Sequence, residues 1–360
     1  MDDGAVPRVA SPLSLSGECM QDIGVGLIGY GLGGRAFHAP YILTTPGMRL
    51  RAVVSRDAAK VRADLPDMTV VSDVAALLAE PGIDLVCVSS PDELHAAHAI
   101  AALRAGKHVL VDKPFATTLG DAHAIATEAE RAGRVLTVLH NRRRDADFLT
   151  LRRVIDDGLL GRIVQFESHF DRWRPVPAAV WKEARAGGSW MDLGPHLIDQ
   201  ALCLFGKPRS ISLQLATLRE EAPASDFLHA VLGYEGLQVI LHSSKLAADH
   251  GLRFAVHGTG GSWIKHGLDL QEVATVAGAL PGGSGWGRDP TEGVFTAAGD
   301  PAGQRSISNE AGDYPTFWRE LAAAIRGEGP NPVPASEAIA VMDVLDAGLR
   351  SAERAQTIAL

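Results

Sequence analysis

Ile23-Gly24-Val25-Gly26-Leu27-Ile28-Gly29-Tyr30-Gly31-Leu32-Gly33-Gly34 is the stretch that decides the fold of this chain. Its apolar run leads into closely spaced glycines, of which Gly29, Gly31 and Gly34 form the pattern G-x-G-x-x-G. Between a strand and a helix, such glycines permit a tight turn, a close approach of a pyrophosphate and packing of the helix on the strand. The pattern alone also fits a simple turn, but here a helical stretch and a second apolar run follow. We therefore predict a dinucleotide site contacted by Gly29, Gly31, Leu32, Gly33 and Gly34.

Length and composition narrow the class of protein. A chain of 360 residues exceeds what one hydrophobic core usually serves, so two domains are expected. The net charge of -9 argues against nucleic acid as a partner. No apolar run approaches the roughly 20 residues that span a bilayer, so no membrane partner is expected either. Three scattered cysteines fit a reducing, cytoplasmic compartment.

The segment 22–141 alternates short apolar runs with helical stretches. Strands are predicted at 23–28, 50–55, 69–71, 84–89, 108–112 and 135–139, with helical stretches between them. Such regular alternation is typical of a doubly wound parallel sheet, whose ligands lie beyond the carboxyl ends of the strands. We predict an α/β Rossmann domain at 22–143. The preceding residues 1–21 lack the pattern of a signal peptide and are expected to form a disordered tail.

The pattern changes after about residue 145. Six β-type runs without intervening helices lie at 162–170, 209–218, 226–234, 237–245, 252–257 and 262–266. They predict an α+β domain at 144–360 with a large, open, mostly antiparallel sheet. Helices are predicted at 148–157, 313–326 and 335–354. The stretch 278–312 is rich in Gly, Pro, Ser and Asp and is expected to be a long surface excursion.

The end of the second strand bears on the choice between NAD and NADP. An NAD-binding domain generally carries an acidic residue there to accept from the ribose hydroxyls. This strand ends in Ser55 and Arg56, whose hydroxyl and guanidinium can bind a 2′-phosphate. NADP is therefore the favoured cofactor, and NAD stays possible because Asp57, one residue later, could contact the ribose while Arg56 is only a surface charge.

Two further strand ends carry polar residues. Ser90, Pro91 and His95 follow the fourth predicted strand, and Lys113 with Pro114 follows the fifth. The proline restrains the backbone of Lys113, so its ammonium is delivered to the edge where a cofactor and a substrate would meet. Partial burial would lower the pKa of such a lysine toward a useful acid-base range. The alternative is an ordinary surface lysine.

A third group of candidate residues lies in the stretch 187–200. Asp192 and His196 are four positions apart and share a face if the stretch is helical. A histidine paired with a carboxylate can remove the proton of an alcohol, and Asp199 could be that partner instead of Asp192. Pro195 would kink the helix, and the alternative is a buried histidine with a purely structural role. Neither H-E-x-x-H nor paired cysteines occur, so no metal is expected in catalysis.

These motifs together resemble the Gfo/Idh/MocA oxidoreductase family. The resemblance rests on the Gly29 to Gly34 loop with Phe37-His38-Ala39-Pro40, Ser90-Pro91 with His95, Asp112-Lys113-Pro114, and Gly187-Gly188 leading to Asp192 and His196. It covers essentially the whole chain from residue 22 onward. The segments 140–143, 166–172 and 192–196 further resemble the NADP-dependent scyllo-inositol dehydrogenase branch of the family.

The resemblance implies roles for individual residues. Lys113 would touch nicotinamide and the substrate hydroxyl, Asp192 would bind or support the substrate, and His196 would accept the proton. The cofactor would be contacted by the glycine loop, Ser55, Arg56, Ser90, Pro91, His95, Lys113 and Asn141. The substrate would be contacted by Lys113, His169, Asp171, Arg172, Asp192 and His196, with Trp173 finishing the wall. The open sheet of such proteins often builds an oligomer, so a homodimer or homotetramer is expected.

Three positions depart from the pattern of this family. Asp112 replaces the usual Glu, Asp92 replaces the usual Asn, and Arg144 stands where relatives often carry an aromatic residue. We expect hydride transfer between nicotinamide and a secondary alcohol of a cyclic polyol or sugar. The alternatives are a keto-sugar or anhydro-sugar reductase, and a regulator that binds dinucleotide without catalysis.

Overall fold

A computed structural model describes residues 22–178, 181–300 and 302–360, without the side chains of residues 181 and 182. The predicted tail at 1–21 therefore lies outside the described residues. Within the described part of the chain, no helix combines the length and the apolarity needed to cross a membrane.

The first half of the chain forms a six-stranded parallel sheet. Its strands are β1 Ile23–Ile28, β2 Met48–Val54, β3 Thr69–Val71, β4 Leu85–Val88, β5 His108–Val111 and β6 Leu136–Val138. Their order in the sheet is β3-β2-β1-β4-β5-β6, and every residue of β1 and β4 is buried. The strand order reverses between β1 and β4, which is where a doubly wound sheet opens a crevice for a ligand. The predicted Rossmann sheet is confirmed.

Helices cover this sheet where the sequence predicted them. After a π-helical turn at Gly34–His38 they are α1 Ala39–Thr44, α2 Ala58–Asp64, α3 Val74–Ala79, α4 His95–Arg104 and α5 Leu119–Ala132. Asp57, Asp73 and Thr118 each accept a hydrogen bond from the backbone N–H three residues later. These N-caps satisfy donors that the first turn of a helix leaves without partners, which is why α2, α3 and α5 begin there.

The second half of the chain builds a nine-stranded sheet. Its strands are β7 Ile163–His169, β8 Ser210–Ala216, β9 Phe227–Tyr234, β10 Leu237–Ser244, β11 Leu252–Gly258, β12 Gly261–His266, β13 Gly293–Ala297, β14 Gln304–Ile307 and β15 Ile358–Ala359. The order is β14-β13-β12-β11-β7-β10-β9-β8-β15. Only the β7–β10 pair is parallel among these described strands, so the prediction of a mostly antiparallel sheet is confirmed.

The expectation of a surface excursion at 278–312 needs correction. Part of this stretch forms β13 and β14, which extend the sheet beyond β12. A Cβ on Gly293 would lie 2.4 Å from the indole ring of Trp263. This glycine therefore serves close packing within a strand, a use that composition does not distinguish from a turn.

Four helices of the second half pack between the two sheets and around them. They are α6 Ala146–Asp156, α7 Gly188–Phe205, α9 Tyr314–Arg326 and α10 Ala335–Arg354, while the short α8 spans Gln271–Val276. Most residues of α7 are buried, and Phe205 at its end meets Phe166 of β7 edge to face. The Trp190 indole N–H donates to the carbonyl of Leu345 in α10 over 3.0 Å. These contacts place α7 on one face of the nine-stranded sheet.

Candidate active site

The backbone of the glycine loop has free space beside Gly31, whereas Gly29 and Gly34 are closely surrounded by other atoms. Gly29 has a φ of +98°, and a Cβ there would lie 2.4 Å from the carbonyl oxygen of Ser89. A Cβ on Gly34 would lie 2.2 Å from the carbonyl oxygen of Gly29, whereas one on Gly31 would meet nothing within 4 Å. The space beside Gly31 fits a pyrophosphate, and the crowding at the other two positions requires glycine. The residues present therefore fit a dinucleotide.

Asp112 ties the glycine loop to the neighbouring strand ends. Its carboxylate accepts a hydrogen bond from Ser89 Oγ at 3.1 Å and one from the backbone N–H of Lys113 at 2.9 Å. His38 Nε2 lies 3.5 Å away. Burial opposes ionisation of this carboxyl group, but the hydrogen bond and charge of His38, with further charges nearby, bring its pKa below the ordinary value. The Asp112 side chain, although shorter than the usual Glu, thus still connects the glycine loop to the neighbouring strand ends.

The end of β2 presents Ser55 and Arg56 as the sequence predicts. The NAD alternative would have the Asp57 carboxylate contact the ribose. In the structure its Oδ1 instead accepts a hydrogen bond from the backbone N–H of Lys60 at 2.9 Å and caps α2. Its own backbone N–H donates to Ser55 Oγ at 3.1 Å. Arg56 is exposed at this edge. The Ser55 hydroxyl also donates to the Asp57 carbonyl at 3.2 Å, so the Arg56 guanidinium is the group left open beside the expected position of the second ribose.

His95 is predicted to contact the cofactor, but it joins two loops in the structure. It is 1% exposed, and its Nδ1 and Nε2 lie 2.9 Å from the Pro114 carbonyl and 3.0 Å from the Ser90 carbonyl. Both ring nitrogens thus face backbone carbonyls. His95 thus connects the Ser90-Pro91 loop to the Lys113-Pro114 loop, and its contact with the cofactor stays a prediction. Asn141 is 8% exposed and begins the short helical turn Asn141–Arg144 that follows β6.

Lys113 links the parallel sheet to α7. Its Nζ donates to the backbone carbonyl of Asp192 at 2.6 Å and lies 3.3 Å from Asp192 Oδ1. One turn later on α7 stands His196. The charge of Lys113 from one half of the chain therefore acts on His196 from the other half, and we call the surroundings of these two residues the Lys113–His196 cleft.

Sequence reasoning missed Arg185, which is buried beside this cleft. Its Nε lies 2.7 Å from Asp92 Oδ2, and its Nη1 donates to Asp192 Oδ1 at 2.8 Å. Burial raises the pKa of Asp92, and the guanidinium counteracts that rise. Nη1 also reaches the Met191 carbonyl at 3.5 Å, which lacks its usual helical donor because Pro195 has no N–H. The unusual Asp92 was the sign in the sequence that a positively charged partner was needed. That partner, Arg185, lies 93 positions away in the chain.

His196 is 7% exposed, and its Nδ1 is buried with no hydrogen-bond partner among the described residues. Burial lowers its pKa well below the ordinary value, and the positive charges of Lys113, Arg142 and other neighbours add to this effect. The imidazole is therefore neutral near pH 7 and can accept a proton. Asp199 binds Arg143 at 2.6 Å, so that carboxylate is engaged away from His196.

The residues predicted on the wall of the substrate site separate onto two faces of the sheet. Ser168 Oγ accepts from Arg253 at 2.7 Å, and Arg253 also donates to Gln200 of α7 at 2.6 Å. Side chains alternate along an extended chain, so Ser168 and Arg172 face α7 whereas His169 and Asp171 face the opposite side. This corrects the prediction for His169 and Asp171, which the structure does not bring to the cleft.

Arg172 does lie on the cleft side, where α8 contributes a second carboxylate. Burial lowers the pKa of Arg172, and the negative charges of Glu272 and Asp192 counteract this effect. Glu272 itself pairs with Arg142. Trp173, the next residue, is 52% exposed. The cleft thus combines Lys113, Asp192, His196 and Arg172 with the unpredicted residues Arg142, Arg185 and Glu272.

The fold and this cleft define a class of protein: a two-part oxidoreductase with a dinucleotide-binding Rossmann sheet and a large, mostly antiparallel sheet. Residues 23–140 match the NAD-binding Rossmann fold of the Gfo/Idh/MocA oxidoreductases, and residues 152–360 match the C-terminal alpha/beta domain of the same family. The chain belongs to the Gfo/Idh/MocA family, and it is an NAD(P)-binding oxidoreductase.

Individual relatives agree with this assignment. The uncharacterized oxidoreductase YdgJ of Escherichia coli is 46% identical over 94% of this chain and 99% of its own. The scyllo-inositol 2-dehydrogenase (NADP(+)) IolW of Bacillus subtilis is 36% identical over 94% of this chain and 96% of its own. A solved oxidoreductase structure from Yersinia pestis has a TM-score of 0.91 and 46% identity over 94% of this chain and 97% of that one.

Proposed function

We propose that this protein is an NADP-preferring dehydrogenase that oxidises a secondary hydroxyl of a cyclic polyol or sugar, and that the reaction is reversible. The observation that carries the proposal is the anchoring of Lys113 on the Asp192 carbonyl, one helical turn before a buried His196. An ammonium donor and a neutral imidazole meet there beyond the carboxyl ends of the parallel strands. This is the position at which such sheets bind their ligands.

The role that we propose for each residue in the reaction follows from the charge of its side chain. A dinucleotide held by the glycine loop supplies a hydride-accepting nicotinamide ring. Lys113 donates a hydrogen bond to the substrate oxygen and stabilises the negative charge that develops on it. His196, which its lowered pKa keeps in the neutral form that a proton acceptor needs, accepts the hydroxyl proton. Asp192 holds the ammonium of Lys113 and, through Arg185, is held itself.

Polar groups around the cleft suit a polyhydroxylated ring. Arg172 and Glu272 offer a donor and an acceptor beside Lys113 and Asp192. A substrate with many hydroxyls needs several such partners, because each buried hydroxyl without one is costly. The 36% identical IolW, named for scyllo-inositol and NADP, supports a substrate and a cofactor of this kind.

Ser55 and Arg56 support the preference for NADP. The Asp57 carboxylate, which would repel a 2′-phosphate, is engaged at the start of α2. The exposed Arg56 guanidinium is then the main group available to a phosphate at the end of β2, and the Ser55 hydroxyl would exchange its bond to the Asp57 carbonyl for one to the phosphate.

The test is a screen of inositols, sugars and linear polyols with NADP and NAD in parallel, monitored by the absorbance of reduced nicotinamide. We expect reduction of NADP by at least one cyclic polyol or sugar, and weaker reduction of NAD. If no compound in the screen reduces either cofactor, and no corresponding ketone oxidises the reduced cofactors, the proposed function fails.

A further inference from the structure

A second polar cluster lies on the sheet face turned away from α7. His169 of β7 and His242 of β10 are directly paired in the parallel register of these strands. Asp171 follows β7 on the same face as His169. One donor atom from each of His169, Asp171 and His242 lies within 4.8 Å of the other two. We propose that these three residues, the β7–β10 cluster, bind a divalent transition-metal ion such as Zn²⁺.

The distances between the donor atoms match the size of a metal ion. His169 Nδ1 lies 3.4 Å from Asp171 Oδ2, and His242 Nε2 lies 3.5 Å from Asp171 Oδ1. Tetrahedral zinc binds nitrogen and oxygen at about 2.0–2.2 Å, which separates two ligands by about 3.3–3.5 Å. The two imidazoles approach different oxygens of Asp171, and the three donor atoms lie within 4.8 Å of one another, so an ion would draw the two histidines closer together around the carboxylate.

Neighbouring side chains orient both imidazoles. Glu167 Oε2 lies 3.1 Å from His169 Nε2, and His229 Nδ1 lies 3.3 Å from His242 Nδ1. In metal sites the second ring nitrogen of a histidine ligand is generally held by a carboxylate, a backbone carbonyl or water, as Glu167 holds His169, and this fixes the ring and the reactive tautomer. Here these contacts turn His169 Nδ1 and His242 Nε2 toward Asp171. The backbone N–H of Ser244 holds the carboxylate itself at 2.7 Å.

The donor set indicates the kind of ion. Two imidazoles and one carboxylate suit zinc, cobalt or nickel better than calcium or magnesium, which prefer oxygen ligands. The side chains of His169, Asp171 and His242 are 15%, 10% and 19% exposed, so the cluster is sheltered but open to an entering ion. Because α7 and the Lys113–His196 cleft lie across the sheet, the ion joins β7 to β10 and takes no part in catalysis.

The experiment is a titration of the full chain, freed of metal with a chelator, with Co²⁺. We expect one Co²⁺ per chain with the visible absorption of a tetrahedral site, and its displacement by Zn²⁺. His242→Ala and Asp171→Asn should abolish this absorption. Glu167→Gln, which removes only the charge that orients His169, should weaken binding about 10- to 100-fold.

The matched control is His257→Ala. His257 is on β11, paired with Gln165 on the same face, and its Nδ1 bonds Ser262 Oγ at 2.8 Å, outside the cluster. This variant should bind Co²⁺ like the parent, and circular dichroism should show that all variants fold. Absence of the absorption at millimolar Co²⁺, or binding unchanged by Asp171→Asn, would overturn the proposal. Neither result depends on whether the chain oxidises a polyol.

Discussion

The two sheets of this protein carry functional residues in different ways. In the parallel sheet both faces are buried, so the polar residues Ser90 and Lys113 lie beyond the strand ends. In the mostly antiparallel sheet a polar residue can lie within a strand. A shift of one position along that strand moves its side chain to the other face of the sheet. Ser168 and His169 are neighbours in β7 but face opposite sides of the sheet. Position along the chain is therefore informative for the first sheet, whereas the second also requires the register.

The largest expected effect tests the convergence of the two halves at the cleft. Lys113→Ala and His196→Ala should each lower kcat by at least about 100-fold, because each removes a group that handles the substrate proton or charge. Steady-state kinetics with the best substrate of the screen measures this. Lys207→Ala and His123→Ala, which alter exposed residues of the same types, are the controls. A near-normal rate in either cleft variant would remove that residue from the mechanism.

Two variants, Arg172→Ala and His169→Ala, test directly whether only the sheet face turned toward α7 contacts the substrate. The first should lower kcat/KM about 10- to 100-fold, the range expected when a charged hydrogen-bond donor to the substrate is lost. The second should change kcat/KM less than about threefold, because His169 lies across the sheet from α7. Equal losses in the two variants would show that the strand presents both side chains to the substrate.

A smaller effect concerns the end of β2, where position along the chain is sufficient for the prediction. Arg56→Glu should lower kcat/KM for NADP roughly tenfold and leave that for NAD nearly unchanged, because a carboxylate repels the 2′-phosphate. Arg62→Glu makes the same change of charge at an exposed position of α2 and should affect neither cofactor. An unchanged ratio of the two cofactors in Arg56→Glu would place the phosphate elsewhere.

The smallest expected effect is in the pH profile of oxidation. His196 must be neutral to accept a proton, and its pKa is well below the ordinary 6.5. Protonation therefore reduces activity only as the pH falls through this lowered value. We expect kcat/KM to change less than about twofold between pH 8 and pH 6.5, measured at saturating cofactor. A decline centred near pH 6.5 would indicate an imidazole with an ordinary pKa.

The strands and helices of the Rossmann sheet were predictable because their signals are local. The apolar runs, the helical stretches between them and the glycine loop each depend on only a few neighbouring residues. The strands β13 and β14 were missed because glycines such as Gly293 resemble turn residues in composition while they serve packing against Trp263. Local patterns do not contain the identity of a distant packing partner.

The candidate site also contains residues that local patterns predicted and residues that they did not. Lys113, Asp192 and His196 were found from strand-end position and helical spacing, and the structure brings Lys113 and Asp192 into contact. Arg185 was missed because an arginine in a loop has no pattern of its own until folding sets it between Asp92 and Asp192. Whether these residues act in catalysis stays a prediction for the kinetics above.

By itself the amino-acid sequence determined the fold class and the glycine loop, since these depend on periodicity and on backbone freedom within short segments, and its motifs carried the resemblance to the family. Only the tertiary structure decided that Arg185 bridges the two halves and that His169 joins His242 instead of the substrate cleft. The physical reason is that ion pairs and sheet faces are set by strand register and by contacts between residues far apart in the chain, which no local pattern encodes.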